Sequence, residues 1–150
     1  MRYYLSDPER TRFLPLERPY PEARIYEWLR DRLLHWERHN FGTFMVQEKG
    51  SEENIGYCGL EYVKKFAFID VLYGLVQDRW GKGYAFEAAS FCVRYGFEAL
   101  KLETIYGAAI PENTASIHIL KKIGMKPDSR FDCYGDMVES YSIKRDLIKP

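Results

Sequence analysis

Cysteine and histidine are scarce here, three of each among 150 residues. Cys58, Cys92 and Cys133 form an odd set with no Cys-x-x-Cys pair. Neither a disulfide framework nor a zinc site follows, and each reads as a small packing thiol. His35 and His39 stand i, i+4 on an expected helix, which is half a metal site. No third ligand is positioned by sequence, and a charged helix surface accounts for both, so no metal is expected. Net charge is missing too: 22 Lys+Arg balance 22 Asp+Glu. Nucleic-acid affinity rests on neutralising many phosphates, so no nucleic-acid partner is expected. No apolar run approaches the ~20 residues of a membrane span. Met1-Arg2-Tyr3-Tyr4 carries no apolar signal region. The expectation is a cytoplasmic chain with no membrane partner.

Aromatic residues are plentiful, with 12 Tyr, 9 Phe and 3 Trp. With an apolar fraction of 46% they exclude a disordered chain, which could not bury enough surface to offset its conformational entropy. The length predicts one domain spanning residues 1–150. Ser6-Asp7-Pro8-Glu9 predicts a helix start with Ser6 as cap, and Pro15, Pro19 and Pro21 then break the chain. From Glu22 to His39, Ile25, Leu29, Leu33 and Trp36 recur at helical period with charges between them, and Asn40 and Gly42 supply the stop. Strands are predicted at Thr43–Glu48, Ile55–Val63 and Phe66–Val76, the last two joined at Lys64-Lys65. A helix runs from the glycine pair at 81 and 83 to about Leu100, with Phe86, Ala89, Val93 and Phe97 on one face. A strand at Glu103–Ile110, a helix at Thr114–Ile123 stopped by Gly124, and strands at Arg130–Tyr134 and Met137–Lys144 complete the chain. The fold class is α/β (α+β): a mixed sheet in which the Phe66 and Glu103 strands are parallel neighbours through a βαβ crossover.

In such sheets ligands bind beyond the carboxyl end of a strand, where the next helix begins. Here that segment is Leu75-Val76-Gln77-Asp78-Arg79-Trp80-Gly81-Lys82-Gly83-Tyr84-Ala85. Glycines let successive N–H groups point into one spot, and a helix start adds unpaired donors and the positive end of its dipole. Lys82 and Arg79 add charge, so an anion such as a pyrophosphate fits. The plain alternative is a turn with two permissive glycines. A dinucleotide fingerprint would need glycine or alanine at Phe86, and the G-x-x-x-x-G-K-[ST] phosphate loop is absent.

Trp80-Gly81-Lys82-Gly83-Tyr84-Ala85…Glu87-Ala88, followed by Pro111-Glu112-Asn113…Ser116…Lys122…Gly124, resembles the Gcn5-related N-acetyltransferase (GNAT) superfamily. The likeness is greatest to the branch holding the ribosomal-protein alanine N-acetyltransferases, and it covers the chain from Ser6 onward. It implies a mostly antiparallel sheet whose central parallel pair splays to admit CoA, with helices on both faces. It also implies acetyl-CoA as co-substrate and a primary amine as acceptor, either a protein N-terminus or a small amine attacking directly in a ternary complex. The family's Q/R-x-x-G-x-G/A loop maps to residues 80–85, with Trp80 in place of Gln/Arg. The backbone N–H groups of Gly81, Lys82, Gly83, Tyr84 and Ala85 would hold the pyrophosphate. The pantetheine arm would lie along Leu75, Val76 and Gln77, with an N–H near Leu75 or Val76 polarising the thioester carbonyl.

The same resemblance puts Asn113 on the pantetheine arm, a helix cap being the alternative. Leu120 stands where many members carry the tyrosine acid. Ser116, one turn earlier, would donate a hydrogen bond to the departing thiolate, or merely cap or pack its helix. Asp70 and Glu61 are the candidate bases, each open to a plainer reading as a solvated strand residue. Alternation puts Asp70 on the face opposite Tyr73 and Leu75. Tyr73, Tyr134 and Tyr141 are candidates to line the acceptor channel. Glu52-Glu53 and Asp132…Asp136…Glu139 are the carboxylate clusters a cationic acceptor would want. Compared with the family, the first strand is absent: the chain is truncated or mis-started, or that edge is covered otherwise, as by a homodimer. A CoA-binding module without turnover is the alternative function, kept open by Leu120 and the uncertain base.

Overall fold

Helix α1 (Pro8–Thr11) starts one residue later than a Ser6 cap would set it. Asp7 is the cap: its carboxylate accepts from the Glu9 N–H at 2.9 Å, and Pro8 occupies the first helical position, where a missing N–H costs nothing. The structure, a computed structural model, describes residues 5–13, 18–63, 67–131, 134, 135 and 137–147. Met1 to Tyr4, Pro15, Lys64, Lys65, Phe66, Asp132, Cys133 and Asp136 lie outside them.

Helix α2 (Glu22–His39) ends on Asn40, whose φ of 57° is the left-handed cap and whose N–H bonds Trp36 O. Its inner stripe is Ile25 with Trp28 and Leu29 packed beside it. Leu33, expected inside, is 65% exposed. The buried place goes to His35, which is therefore not on a charged surface. Its Nδ1–H donates to Phe41 O (2.8 Å) and its Nε2 accepts from the Tyr62 N–H (2.9 Å), so the ring is held as one neutral tautomer.

Six strands follow: β1 (Thr43–Gln47), β2 (Asn54–Val63), β3 (Phe68–Leu75), β4 (Thr104–Ala109), β5 (Lys126–Pro127) and β6 (Glu139–Lys144). They form one sheet in the order β1-β2-β3-β4-β6-β5. Among the described residues only β3 and β4 pair in parallel, because α3 (Tyr84–Glu98) crosses between them. The other neighbours are antiparallel. Helix α4 (Thr114–Lys122) leads from β4 toward β5 and stops at Gly124, where the Met125 N–H reaches back to Leu120 O.

Strand alternation divides the core. Cys58, Leu60, Ile69, Val71, Ile105, Tyr141 and Ile143 share one face with Ala89, Cys92, Val93 and Phe97 of α3 and Leu120 of α4. Tyr57, Ile55 and Leu72 meet Ile25, Trp28 and Leu29 of α2 on the other. Helices thus cover both faces. Arg130–Tyr134 is not a strand in its described part. Asp128 instead accepts from the Arg130 N–H (3.1 Å) and Nε (2.8 Å), turning the chain, and the pairing moves back to Lys126-Pro127. Pro127 is tolerated because β5 is an edge.

Candidate active site

The sheet parts at its centre. β2 and β3 stay in register from Val63↔Phe68 to Gly56↔Leu75, but β3 and β4 share a single partner pair, Asp70↔Tyr106. Beyond it the two strands separate. The Val76 N–H bonds Ile55 O at 2.8 Å, so it faces β2. By alternation the N–H and C=O groups of Tyr73 and Leu75 face the opening toward β4. Trp80 Nε1 donates to Leu75 O at 2.8 Å. Of the two N–H donors expected on this edge, Val76 is therefore committed to the sheet, and Leu75 alone offers its N–H to the opening.

The chain leaves β3 through a short 3-10 turn (Gln77–Arg79) and reaches α3 over Gly81 (φ 72°) and Gly83 (φ 84°). Both angles lie in the left-handed region that glycine enters freely. A Cβ on either glycine would meet nothing within 4 Å, so the space above them is open. The first bonded amide here is Glu87 N–H to Gly83 O (3.0 Å), and α3 has no side-chain cap. None of the backbone N–H groups of residues 81–86 has a hydrogen-bond partner among the described residues. A helix start left this bare is an anion site in waiting.

Charge near the loop is arranged differently from expectation. Arg79 is occupied by Asp78 (2.7 Å), Glu48 (3.3 Å) and Glu53 (3.4 Å), which neutralise it. The Tyr84 phenol donates to Glu48 as well, pinning the first residue of α3 to the end of β1. Lys82 is exposed and forms no ion pair among the described residues. Lys122 of α4 lies 4.3 Å from the Phe86 ring, so a second cation borders the helix start.

On the α3/α4 face, Asn113 caps α4: its Oδ1 accepts from the Ser116 N–H at 3.1 Å. Capping uses the oxygen and leaves the amide NH2 available. Ser116 Oγ lies 2.8 Å from the Tyr73 hydroxyl, which also reaches Ser116 O at 3.1 Å. Burial pushes the Tyr73 phenol well above its ordinary value, so it stays protonated. Leu120 is 1% exposed and fills core space.

On the opposite face lies Asp70, 8% exposed. Its Oδ2 accepts from the Tyr134 hydroxyl at 2.7 Å. Its Oδ1 is buried with no hydrogen-bond partner among the described residues. Burial pushes this carboxyl up to about 7; the Tyr134 bond opposes the shift and the Glu61 charge adds to it. Glu61 is its cross-strand neighbour, occupied by Thr43 Oγ1 (2.7 Å) and Arg32 Nε (3.3 Å). Phe68, Tyr106, Phe131 and Tyr134 pack ring against ring beside Asp70.

Of the three tyrosines named from sequence, only Tyr134 shares the Asp70 face. Tyr73 meets Ser116 on the other, and Tyr141 is buried there, donating to Glu139. Glu53 belongs to the Arg79 cluster and Glu52 is exposed. Asp132 and Asp136 lie outside the described residues. Sequence reasoning missed two pairings, Tyr73 with Ser116 and Tyr134 with Asp70. Alternation alone places Tyr73 on the α4 face; Tyr134, named for the acceptor channel, carries no sequence signal that pairs it with Asp70, 64 residues away. Among the described residues no group of three or more His, Cys, Asp or Glu could hold a metal, and no helix is long and apolar enough to cross a membrane.

A sheet that opens at its parallel pair, with a bare helix start at the opening, is the architecture of acetyltransferases. An acetyltransferase from Agrobacterium tumefaciens superimposes with a TM-score of 0.85 at 24% identity, covering 95% of this chain and 81% of that one. A ribosomal-protein-S5-alanine acetyltransferase from Vibrio fischeri gives 0.71 at 22%, covering 99% and 90%. A spermidine N-acetyltransferase from Vibrio cholerae, in complex with CoA and spermine, gives 0.75 at 20%, covering 97% and 88%. The chain belongs to the acetyltransferase (GNAT) domain family, whose model matches residues 1–126. The uncharacterized N-acetyltransferase p20 of Bacillus licheniformis is 28% identical over 147 residues, 92% of this chain and 80% of that protein. The protein is an N-acetyltransferase, and acetyl-CoA is the acetyl donor of its family.

Proposed function

We propose that this chain is a single N-acetyltransferase domain that moves the acetyl group of acetyl-CoA to a neutral primary amine by direct attack in a ternary complex. The observation that carries the reading is the run of unpartnered N–H groups at residues 81–86, where β3 ends and the sheet parts. The donor fits this chain. The loop amides and Lys82 hold the pyrophosphate; the edge of β3 at Leu75, whose C=O keeps a second lone pair beside its Trp80 bond, and the Asn113 amide NH2 hold the pantetheine arm. The donor supplies an activated acyl carbon with a thiolate leaving group. The Leu75 N–H stabilises the oxygen that gains charge as the amine attacks. Asp70, ionised above about pH 7, takes the amine's proton on one face of β3. Ser116 donates a hydrogen bond to the departing thiolate on the other. Glu61 holds Arg32 and Thr43 and raises the basicity of Asp70.

The acceptor is a protein N-terminal amine, as the likeness to the ribosomal-protein branch suggests, or a small amine. Proteins of this fold that act on each are known by name. The experiment is incubation with acetyl-CoA and a panel of N-terminal peptides, amino acids and polyamines, following free thiol and the mass of the acceptor. Amine-dependent thiol release is expected. CoA binding with no thiol release across the panel would favour a binding module, and no CoA binding would sink the reading.

A further inference from the structure

We infer that Tyr73 is a positioning residue for the thiolate, aiming the Ser116 hydroxyl proton outward. This rests on the acetyl-CoA reading above. Three atoms of Ser116 are fixed by two side chains: its N–H by Asn113 Oδ1 (3.1 Å), and its C=O (3.1 Å) and Oγ (2.8 Å) by the Tyr73 hydroxyl. A serine at the start of a helix would otherwise turn its hydroxyl back onto its own backbone. Here the Tyr73 hydroxyl, 2.8 Å from Ser116 Oγ, is a competing partner that draws the serine hydroxyl away from the helix backbone.

The shared proton has two arrangements. When the Tyr73 O–H donates to Ser116 O, the tyrosine oxygen accepts from Ser116, and the serine has no proton to offer. When the Tyr73 O–H donates to Ser116 Oγ, the Ser116 O–H is released and its oxygen, already accepting, is the stronger donor. Negative charge arriving at the sulfur favours the second arrangement. No bond to hydrogen breaks: the phenol is held in its neutral form by burial, so the pair supplies aligned hydrogen bonds rather than a proton. The pair thus does for the thiolate what Leu120, lacking a hydroxyl, cannot.

The test reads the sulfur itself and needs no acceptor. The ultraviolet absorbance of the thiolate gives the pKa of the CoA thiol bound to the intact protein, in wild type, Ser116→Ala, Tyr73→Phe and the double variant. Wild type should hold that pKa below that of free CoA. Each single variant should raise it by about one pH unit, the size of one hydrogen bond to a charged group. The double variant should match Ser116→Ala, because Tyr73 works only through the serine. Tyr73→Phe keeps the ring that packs on the core, and its melting temperature should stay near wild type, as should its CoA dissociation constant at a pH where the bound thiol is protonated. Should it fail to fold, Ser116→Thr retains the hydroxyl and should retain the lowered pKa. A thiol pKa unchanged by Tyr73→Phe but raised by Ser116→Ala overturns the role of Tyr73 and leaves Ser116 standing. No change in either overturns both, and absence of CoA binding removes the acetyl-CoA reading and this inference with it.

Discussion

Asp70→Asn should make this protein more stable above pH 7 while disabling it. Asp70 is 8% exposed, its Oδ1 has no partner among the described residues, and its carboxyl is pushed from 3.8 up to about 7. At 1.36 kcal/mol per pH unit, that shift is worth about 4 kcal/mol. The folded protein holds this proton more tightly than the unfolded chain does. Between pH 3.8 and about 7 it therefore binds more protons, and this group's contribution to stability falls as pH rises through that window. Asparagine keeps the shape and an acceptor for Tyr134 but carries no charge. Its NH2 group, left beside no described acceptor, costs about 1–3 kcal/mol. The net gain above pH 7 is then about 2 kcal/mol, or roughly 4–8 °C in melting temperature for a chain of this size. Below pH 4 wild type holds a neutral acid, so only the cost of the NH2 group remains and the variant should be the less stable protein by about 1–3 kcal/mol.

The assay is thermal or urea unfolding of both proteins from pH 4 to 8.5, with acetyl transfer measured alongside. The stability difference should grow with pH and level off above about 7. Turnover in wild type should rise through the same inflection, whereas Asp70→Asn should lose about a hundredfold or more, the usual contribution of a general base. Parallel stability curves would show that Asp70 carries no raised pKa. Wild-type turnover in the variant would move the base elsewhere.

Gly83→Val should weaken CoA binding at least tenfold while lowering apo stability by only about 1–2 kcal/mol, the cost of a side chain at positive φ, since nothing lies within 4 Å of its Cβ. Calorimetric titration with CoA checks it, and wild-type affinity would remove the pyrophosphate assignment. His35→Leu leaves the Phe41 carbonyl and the Tyr62 N–H without their ring partner and should cost about 2–4 kcal/mol in urea unfolding. Burial holds the His35 pKa below 6.5, so the unfolded chain takes up the proton first. This contribution is present above pH 6.5 and lost as pH falls below it. A stability curve equally steep between pH 6.5 and 5 in the leucine variant would refute that account.

Much of this architecture was legible because local rules and tertiary structure agree. The bounds of α2, the order of elements and the parallel pair all follow from periodicity and turn residues. His35 shows where periodicity stops. At 100° per residue, Leu33 and His35 lie about 80° either side of Ile25, and nothing local chooses between them. The choice is made by Phe41 O and Tyr62 N–H, two backbone groups that need a partner only the histidine supplies. Arg79 shows the same limit for charge. Its sequence position beside the glycines suggests a phosphate contact, yet Glu48 and Glu53, 31 and 26 residues away, reach it first.

The proposed chemistry needs proton removal and thiolate release on opposite sides of one carbon, and a strand provides that separation without special construction. Successive side chains of β3 point to opposite faces, so Asp70 and Tyr73, three residues apart, cannot share one. Asp70 meets Tyr134 on one face and Tyr73 meets Ser116 on the other. The backbone edge between them, freed where β4 departs after Asp70↔Tyr106, contributes the Leu75 N–H. A one-residue slip of β3 against β2 would exchange both faces at once. It would also move the glycine loop relative to the sheet opening. The eight cross-strand pairs from Val63↔Phe68 to Gly56↔Leu75, together with the Val76 bond to Ile55, therefore fix more than the core. The same register that buries Val71 against α3 and Leu72 against α2 assigns the base and the thiolate donor to their sides.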